Sequence, residues 1–152
     1  MRWNIDVLNS HDARAVRQIY APDIRVRFPM RSLHGPDEVA GFFAGLFAAV
    51  PDVTITIAGI AEQDATVFLR WRITGRHTGA DWEGIAASGA RIDLDGTDHF
   101  TVVDGLISRN FVVFDQMQFA RQVGLLPADG SRLDVGLKAA FNALVRRRNR
   151  RR

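Results

Sequence analysis

Two carboxylates fall on strand faces that are mostly apolar. In the run Thr97 to Val103, Asp98 shares one face with Phe100 and Val102. In the run Leu106 to Phe114, Ile107, Arg109, Phe111 and Val113 share one face, and Asp115 continues it. With these faces turned inward, two carboxylates and one guanidinium point into an apolar interior. A lone carboxylate is costly there, so it must be paired, protonated or set against a wet cavity. A carboxyl whose pKa is raised by an apolar pocket is the group that general acid–base catalysis needs near neutral pH. Plainer readings stand beside this one. Asp115 sits where a helix N-cap belongs, and Asp98 could simply pair with Arg109 across the hairpin. Asn110 has the opposite parity and reaches the interior only if a bulge intervenes. His99 falls on the outer face.

Other chemistries leave no trace. His11, His34, His77 and His99 lack metal-ligand spacing. There is no phosphate-cradling glycine loop and no nucleophile elbow. Cysteine is absent, which removes thiolate chemistry and disulfides and suits a reducing cytoplasm, where the protein is expected. No metal and no cofactor are expected.

The elements that must position these residues follow from periodicity. Trp3, Val7 and Leu8 give a partial apolar stripe on a first short helix. Ser10 or Asp12 caps a second, with Val16, Ile19 and Tyr20 inside and Pro22 ending it. Ile24 to Phe28 alternates as a strand. Gly35-Pro36-Asp37-Glu38 opens a helix, and Val39, Phe42, Phe43, Leu46, Phe47 and Val50 hold one face until Pro51. The period then changes to two. Val53, Ile55 and Ile57 alternate, and Val67, Leu69, Trp71 and Ile73 alternate against Phe68, Arg70 and Arg72. A loop from Thr78 to Gly89 carries Trp82. Asp104-Gly105 between two alternating runs predicts a tight hairpin. A short helix from Gln116 to Val123 follows Asp115. Helices first and an antiparallel meander after predict an α+β fold with helices on one sheet face.

The chain has 152 residues and a net charge of +3, but the charge is uneven. Six arginines lie between Arg146 and Arg152. Removing them from the 20 basic side chains leaves 14 against 17 acidic ones, a net of −3. A mildly acidic body makes nucleic acid an unexpected partner, although the arginine tail leaves weak polyanion binding open. No run approaches the ~20 apolar residues of a membrane span, and the start of the chain has no apolar signal region. Residues 1–127 read as one domain. Residues 128–152 read as an amphipathic helix on Leu133, Leu137, Phe141 and Leu144, fraying into the arginines.

In order and spacing, several short pieces resemble the SnoaL-like polyketide cyclases. They are Asn9-Ser10-His11-Asp12, Tyr20-Ala21-Pro22-Asp23, Pro51-Asp52, Gly75-Arg76-His77-Thr78-Gly79, Asp104-Gly105-Leu106-Ile107, and Asp115 followed by Phe119-Ala120-Arg121-Gln122-Val123-Gly124. The resemblance covers residues 3 to 127. It implies the cone of the nuclear transport factor 2-like type, a curved antiparallel (mixed) sheet with helices on its concave face. It also implies a cofactor-independent aldol closure on a hydrophobic, oxygenated small molecule. Asp115 matches the family's acid/base. Asp98 is the expected assisting carboxyl, and His77 is expected at the mouth. Tyr20, Phe28, Trp71, Trp82, Phe100, Asn110 and Phe111 are expected to contact substrate. Related cones include ketosteroid isomerases and limonene-type epoxide hydrolases; the Arg-x-Asp pair of the latter is missing from Leu69-Arg70-Trp71-Arg72. Family members are commonly dimers through the outer sheet face, so a homodimer is expected. The competing reading is a cone that binds a ligand or dimerises without catalysis.

Overall fold

The computed structural model describes residues 2–150, with side chains from Ile5 onward. Trp3, expected on the first apolar stripe, has its side chain outside the described residues, as do Arg151 and Arg152. Helix α1 (Arg2–Asn9) leads into α2 (Ala13–Gln18), whose N-cap Asp12 accepts from the backbone N–H of Arg14 and Ala15. Strands β1 (Tyr20–Arg27) and β2 (Ser32–His34) precede helix α3 (Gly35–Ala49). The meander β3 (Thr54–Gln63), β4 (Thr66–Arg76), β5 (Arg91–Val103) and β6 (Leu106–Phe114) follows, then α4 (Gln116–Gln122) and α5 (Arg132–Asn149).

The strands form one mixed sheet in the order β2-β1-β6-β5-β4-β3. Every neighbouring pair is antiparallel except β1 and β6, which run parallel. The expected hairpin is present: Val103 pairs with Leu106, and Asp104 and Gly105 both have positive φ, 51° and 79°. Two consecutive positive φ values match the twist of a two-residue hairpin, which explains the Asp-Gly pair.

The inner sheet face and the helices enclose the core. Val39, Phe42, Leu46 and Phe47 of α3 are buried, as the helical period predicts. Polar side chains fix the helices on the sheet. Asn9 exchanges two hydrogen bonds of 2.8 Å with the backbone of Ile55. His11 Nε2 lies 2.8 Å from the Val53 carbonyl, and its ring stacks on Phe47. Gln122 grips Asp93 of β5 in the same two-bond manner. Two of the sequence pieces quoted above thus act as fasteners.

Several boundaries differ from expectation. Strand β1 starts at Tyr20 and contains Pro22, which falls in the stretch where pairing with β6 shifts register. Strand β5 begins six residues before Thr97. Helix α5 does not fray at the arginines but continues through Arg146, Arg147 and Arg148 to Asn149. Arginine is a good helix former, and cations at the C-terminal turn meet the negative end of the dipole. None of α5's apolar residues joins the core; Asp134 is its one buried residue, held by Lys138 and the Gly130 N–H.

Candidate functional site

The inner face of the sheet and helices α1, α3 and α4 enclose a cavity of about 430 Å³. That is the size of a site for a small organic molecule. Its wall is mostly apolar, and Asp98 and Glu83 are its two carboxylates. Glu83 lies at the rim, where it pairs with Arg31 at 2.8 Å. Asp98 lies deeper.

The register of the sheet explains how Asp98 is held. It pairs with Leu69 on β4 and with Val112 on β6. Trp71 and Asn110, two residues along on the flanking strands, are therefore its diagonal neighbours on the inner face. Trp71 Nε1–H donates to Asp98 Oδ1 at 3.1 Å, and Asn110 Nδ2–H donates to Oδ2 at 3.4 Å. Burial pushes the Asp98 carboxyl up to about 6, and these two hydrogen bonds pull in the opposite direction. Asn110 Oδ1 is buried with no partner, an open acceptor beside the carboxyl.

Trp71 fits because of the residue opposite it. Gly96 pairs with Trp71, and a Cβ at Gly96 would stand 2.1 Å from Trp71 Cζ2. A glycine inside a strand often marks such a close approach. The sequence reading missed Gly96, although that signal was there to be used.

A bulge decides the rest. Thr101 pairs with Arg109 but Val102 with Ile107, so Ser108 is an extra residue in β6. The parity of the strand reverses there. Asn110 and Val112 are buried, while Arg109, Phe111 and Val113 are exposed. The expectation that Arg109, Phe111 and Asp115 face inward is corrected accordingly. Phe111 lies on the outer sheet face under the Arg27 guanidinium, 5.3 Å from its ring centre. Asp98 does not pair with Arg109. Asp115 is exposed and does not line the cavity; its Oδ1 caps α4 by accepting from the backbone N–H of Met117 and Gln118, both at 2.9 Å.

Of the other expected contacts, Phe28, Trp71, Trp82 and Asn110 line the cavity. Tyr20 and Phe100 belong to the core behind it. Burial, and then the Asp98 charge, push the Tyr20 phenol well above its usual range, so it stays neutral. His77 is not at the mouth. It is buried at the base of the loop, with Nε2 3.1 Å from the Ala80 carbonyl. The loop is pinned to the end of α3 by Gly79 and Ala80 N–H groups donating to the Ala49 and Ala48 carbonyls. It delivers Trp82 against Phe42 and Phe119, closing one side of the cavity. Among the described residues no cluster of three or more His, Asp or Glu side chains is set to hold a metal ion. Nor is any helix among them long and apolar enough to cross a membrane.

Residues 2–110, more than half of the chain, match the family described as the SnoaL-like domain. The chain belongs to that family. This SnoaL-like chain also shares its fold with solved structures of low identity. AclR, a candidate hydroxylase from Streptomyces galilaeus, superposes with a TM-score of 0.72 at 21% identity, covering 95% of this chain and 90% of that one. A candidate SnoaL-like polyketide cyclase from Jannaschia sp. CCS1 gives 0.71 at 20% identity, covering 81% and 88%. A protein with a ketosteroid isomerase-like fold from Catenulispora acidiphila DSM 44928 gives 0.67 at 16% identity, covering 84% and 92%. No curated protein matches the sequence. Both the family and the nuclear transport factor 2-like cone expected from the sequence hold for this SnoaL-like protein.

Proposed function

We propose that the protein is a cofactor-independent cyclase or isomerase of a hydrophobic, oxygenated small molecule, acting in the cytoplasm, with Asp98 as its acid/base. The observation that carries this reading is one carboxyl in an apolar cavity, oriented by Trp71 and Asn110; burial there pushes it up to about 6. The chemistry is assigned to residues 1–127, and none of it to residues 128–152.

In the cyclase form, the Asp98 carboxylate takes a proton from an acidic carbon beside a carbonyl. The resulting enolate carbon attacks a second carbonyl carbon of the same molecule and closes a C–C bond. The alkoxide formed takes the proton back from Asp98. One C–H bond and one carbonyl π bond are exchanged for one C–C bond and one O–H bond, and the substrate is neither oxidised nor reduced. An isomerase forms no C–C bond: the enolate is instead reprotonated by Asp98 at another carbon, so one C–H bond is exchanged for another. Trp71 and Asn110 hold the carboxylate, and the free Asn110 Oδ1 accepts from a substrate hydroxyl or enol. The apolar wall excludes water, which strengthens each of these interactions.

The test is turnover of a panel of polyketide esters and ketosteroids against pH. A base must be ionised to act, so kcat/KM should rise through about pH 6. Trp71→Phe removes a hydrogen bond that lowers the Asp98 pKa, so the same limb should move to higher pH. A flat profile between pH 5 and 8, or an unmoved limb, would refute the assignment.

We also propose a homodimer through the outer sheet face, where Phe68 is 49% exposed beside Arg70 and Arg72. Light scattering should give twice the 16.9 kDa chain mass. A mass of one chain that does not change with concentration would exclude the dimer.

A further inference from the structure

The bulge at Ser108 turns Arg109 outward, and there it meets two other arginines. Strand pairing sets the outer face as two rows. Arg25 stands between His34 on β2 and Arg109 on β6, and Arg109 is opposite Thr101 on β5. In the next row Arg27 stands between Ser32 and Phe111, and Phe111 is opposite His99. Adjacent strands lie about 4.8 Å apart, so Arg25 and Arg109 are like charges directly opposite, an arrangement that costs stability. These residues surround a second depression of about 300 Å³ whose lining contains no carboxylate.

The rest of the outer face is treated differently. Arg70, Arg72 and Arg91 pair with Asp93 or Asp95. Arg25, Arg27 and Arg109 form no ion pair among the described residues. Asp23, the next outward residue along β1, lies outside the lining. The site therefore offers three guanidinium groups without a carboxylate partner, that of Arg27 lying over Phe111, with the hydroxyls of Ser32 and Thr101 and imidazole nitrogens from His34 and His99. That donor set matches a tetrahedral dianion, for which arginine forks are suited. The part of Phe111 that the Arg27 guanidinium leaves exposed offers an apolar surface to a ring or alkyl group.

We propose that this depression binds an organic phosphate monoester, at a site separate from the cavity and on the opposite face of the sheet. The test titrates the full chain with phenyl phosphate and with inorganic phosphate at 0.15 M salt. Amide NMR shifts and calorimetry are the readouts. Phenyl phosphate should saturate one site per chain, shift residues 25–27, 99–101 and 109–111, and bind more tightly than inorganic phosphate. Arg25→Gln with Arg109→Gln should weaken it by about tenfold or more, since charge-assisted hydrogen bonds to two guanidinium groups are lost. The same double variant relieves the repulsion, so without phosphate it should melt above the wild type. Replacing Arg146, Arg147 and Arg148 by Gln should leave binding unchanged.

Four results would overturn the proposal. They are no saturable binding, binding lost with the tail arginines, equal binding in the double variant, and phenyl phosphate no tighter than inorganic phosphate. The site requires the dimer contact around Phe68, whose ring stacks on His99 of the lining, to leave this depression open, so a fifth overturning result is an affinity that falls as protein concentration rises.

Discussion

Asp98→Asn is expected to fold, to bind cavity ligands and to lose turnover by about a hundredfold or more. Asparagine keeps the shape and can still accept from Trp71 Nε1–H, but it cannot take a proton. Asp115→Asn is the matched control. Its carboxylate caps α4 and is not among the cavity's lining residues, and asparagine caps a helix equally well, so turnover and melting temperature should stay at wild-type values. The reverse outcome, with Asp115→Asn inactive and Asp98→Asn active, would move the chemistry to the mouth of α4. A stability effect should accompany the first substitution. The folded state holds the Asp98 proton more tightly than the unfolded state, whose carboxyl titrates near 3.8. The stability contributed by this group is therefore full below about pH 4, falls as pH rises to about 6, and is gone above that. Asp98→Asn should thus melt higher than wild type at pH 7.5. The gain should be on the order of 2 kcal/mol, allowing for water reaching the cavity side of the carboxyl.

Gly96→Ala should be the most damaging single-methyl change in the sheet. The new Cβ would meet Trp71 ring carbons at 2.1 and 2.2 Å. The indole must leave, and with it the donor on Asp98 Oδ1. Overpacking of this kind costs about 1–3 kcal/mol, and turnover should fall as well because the carboxyl loses its orientation. Trp71→Leu in the same chain removes the clash. The double variant should then recover part of the stability lost in Gly96→Ala, as a non-additive pair. Additive losses measured by denaturant unfolding would mean that Gly96 and Trp71 do not constrain each other.

The face of β5 was legible from sequence because its alternation is uninterrupted: Phe100 and Asp98 stand inward, with His99 outward between them. Trp71 on β4 was legible for the same reason. Strand β6 was not. After Asn110 the two parities are equally apolar, Phe111 and Val113 on one face and Val112 and Phe114 on the other. Alternation alone therefore cannot say which face is inside. The deciding feature is one unpaired residue, Ser108, which only pairing with β5 reveals. That single residue separates Asn110 in the cavity from Phe111 on the surface, and it creates the basic depression through Arg109. The early start of β5 was hidden by Gly96, which reads as a breaker when its partner Trp71 is unknown. Strand β2 is three residues long, too short for a period. The hairpin at Asp104-Gly105 and helix α3 were plain because their signals are local: a turn geometry and a proline-led start.

The proposed chemistry depends on the ionisation state of one carboxyl. The direct measurement is the ¹³C shift of the Asp98 side-chain carboxyl followed against pH, assigned by its loss in Asp98→Asn. A midpoint near 6, rising when Trp71 is replaced by Phe, is the predicted result. A midpoint near the 3.8 of an unperturbed aspartate would show a solvated carboxylate and contradict an acid/base held in an apolar cavity.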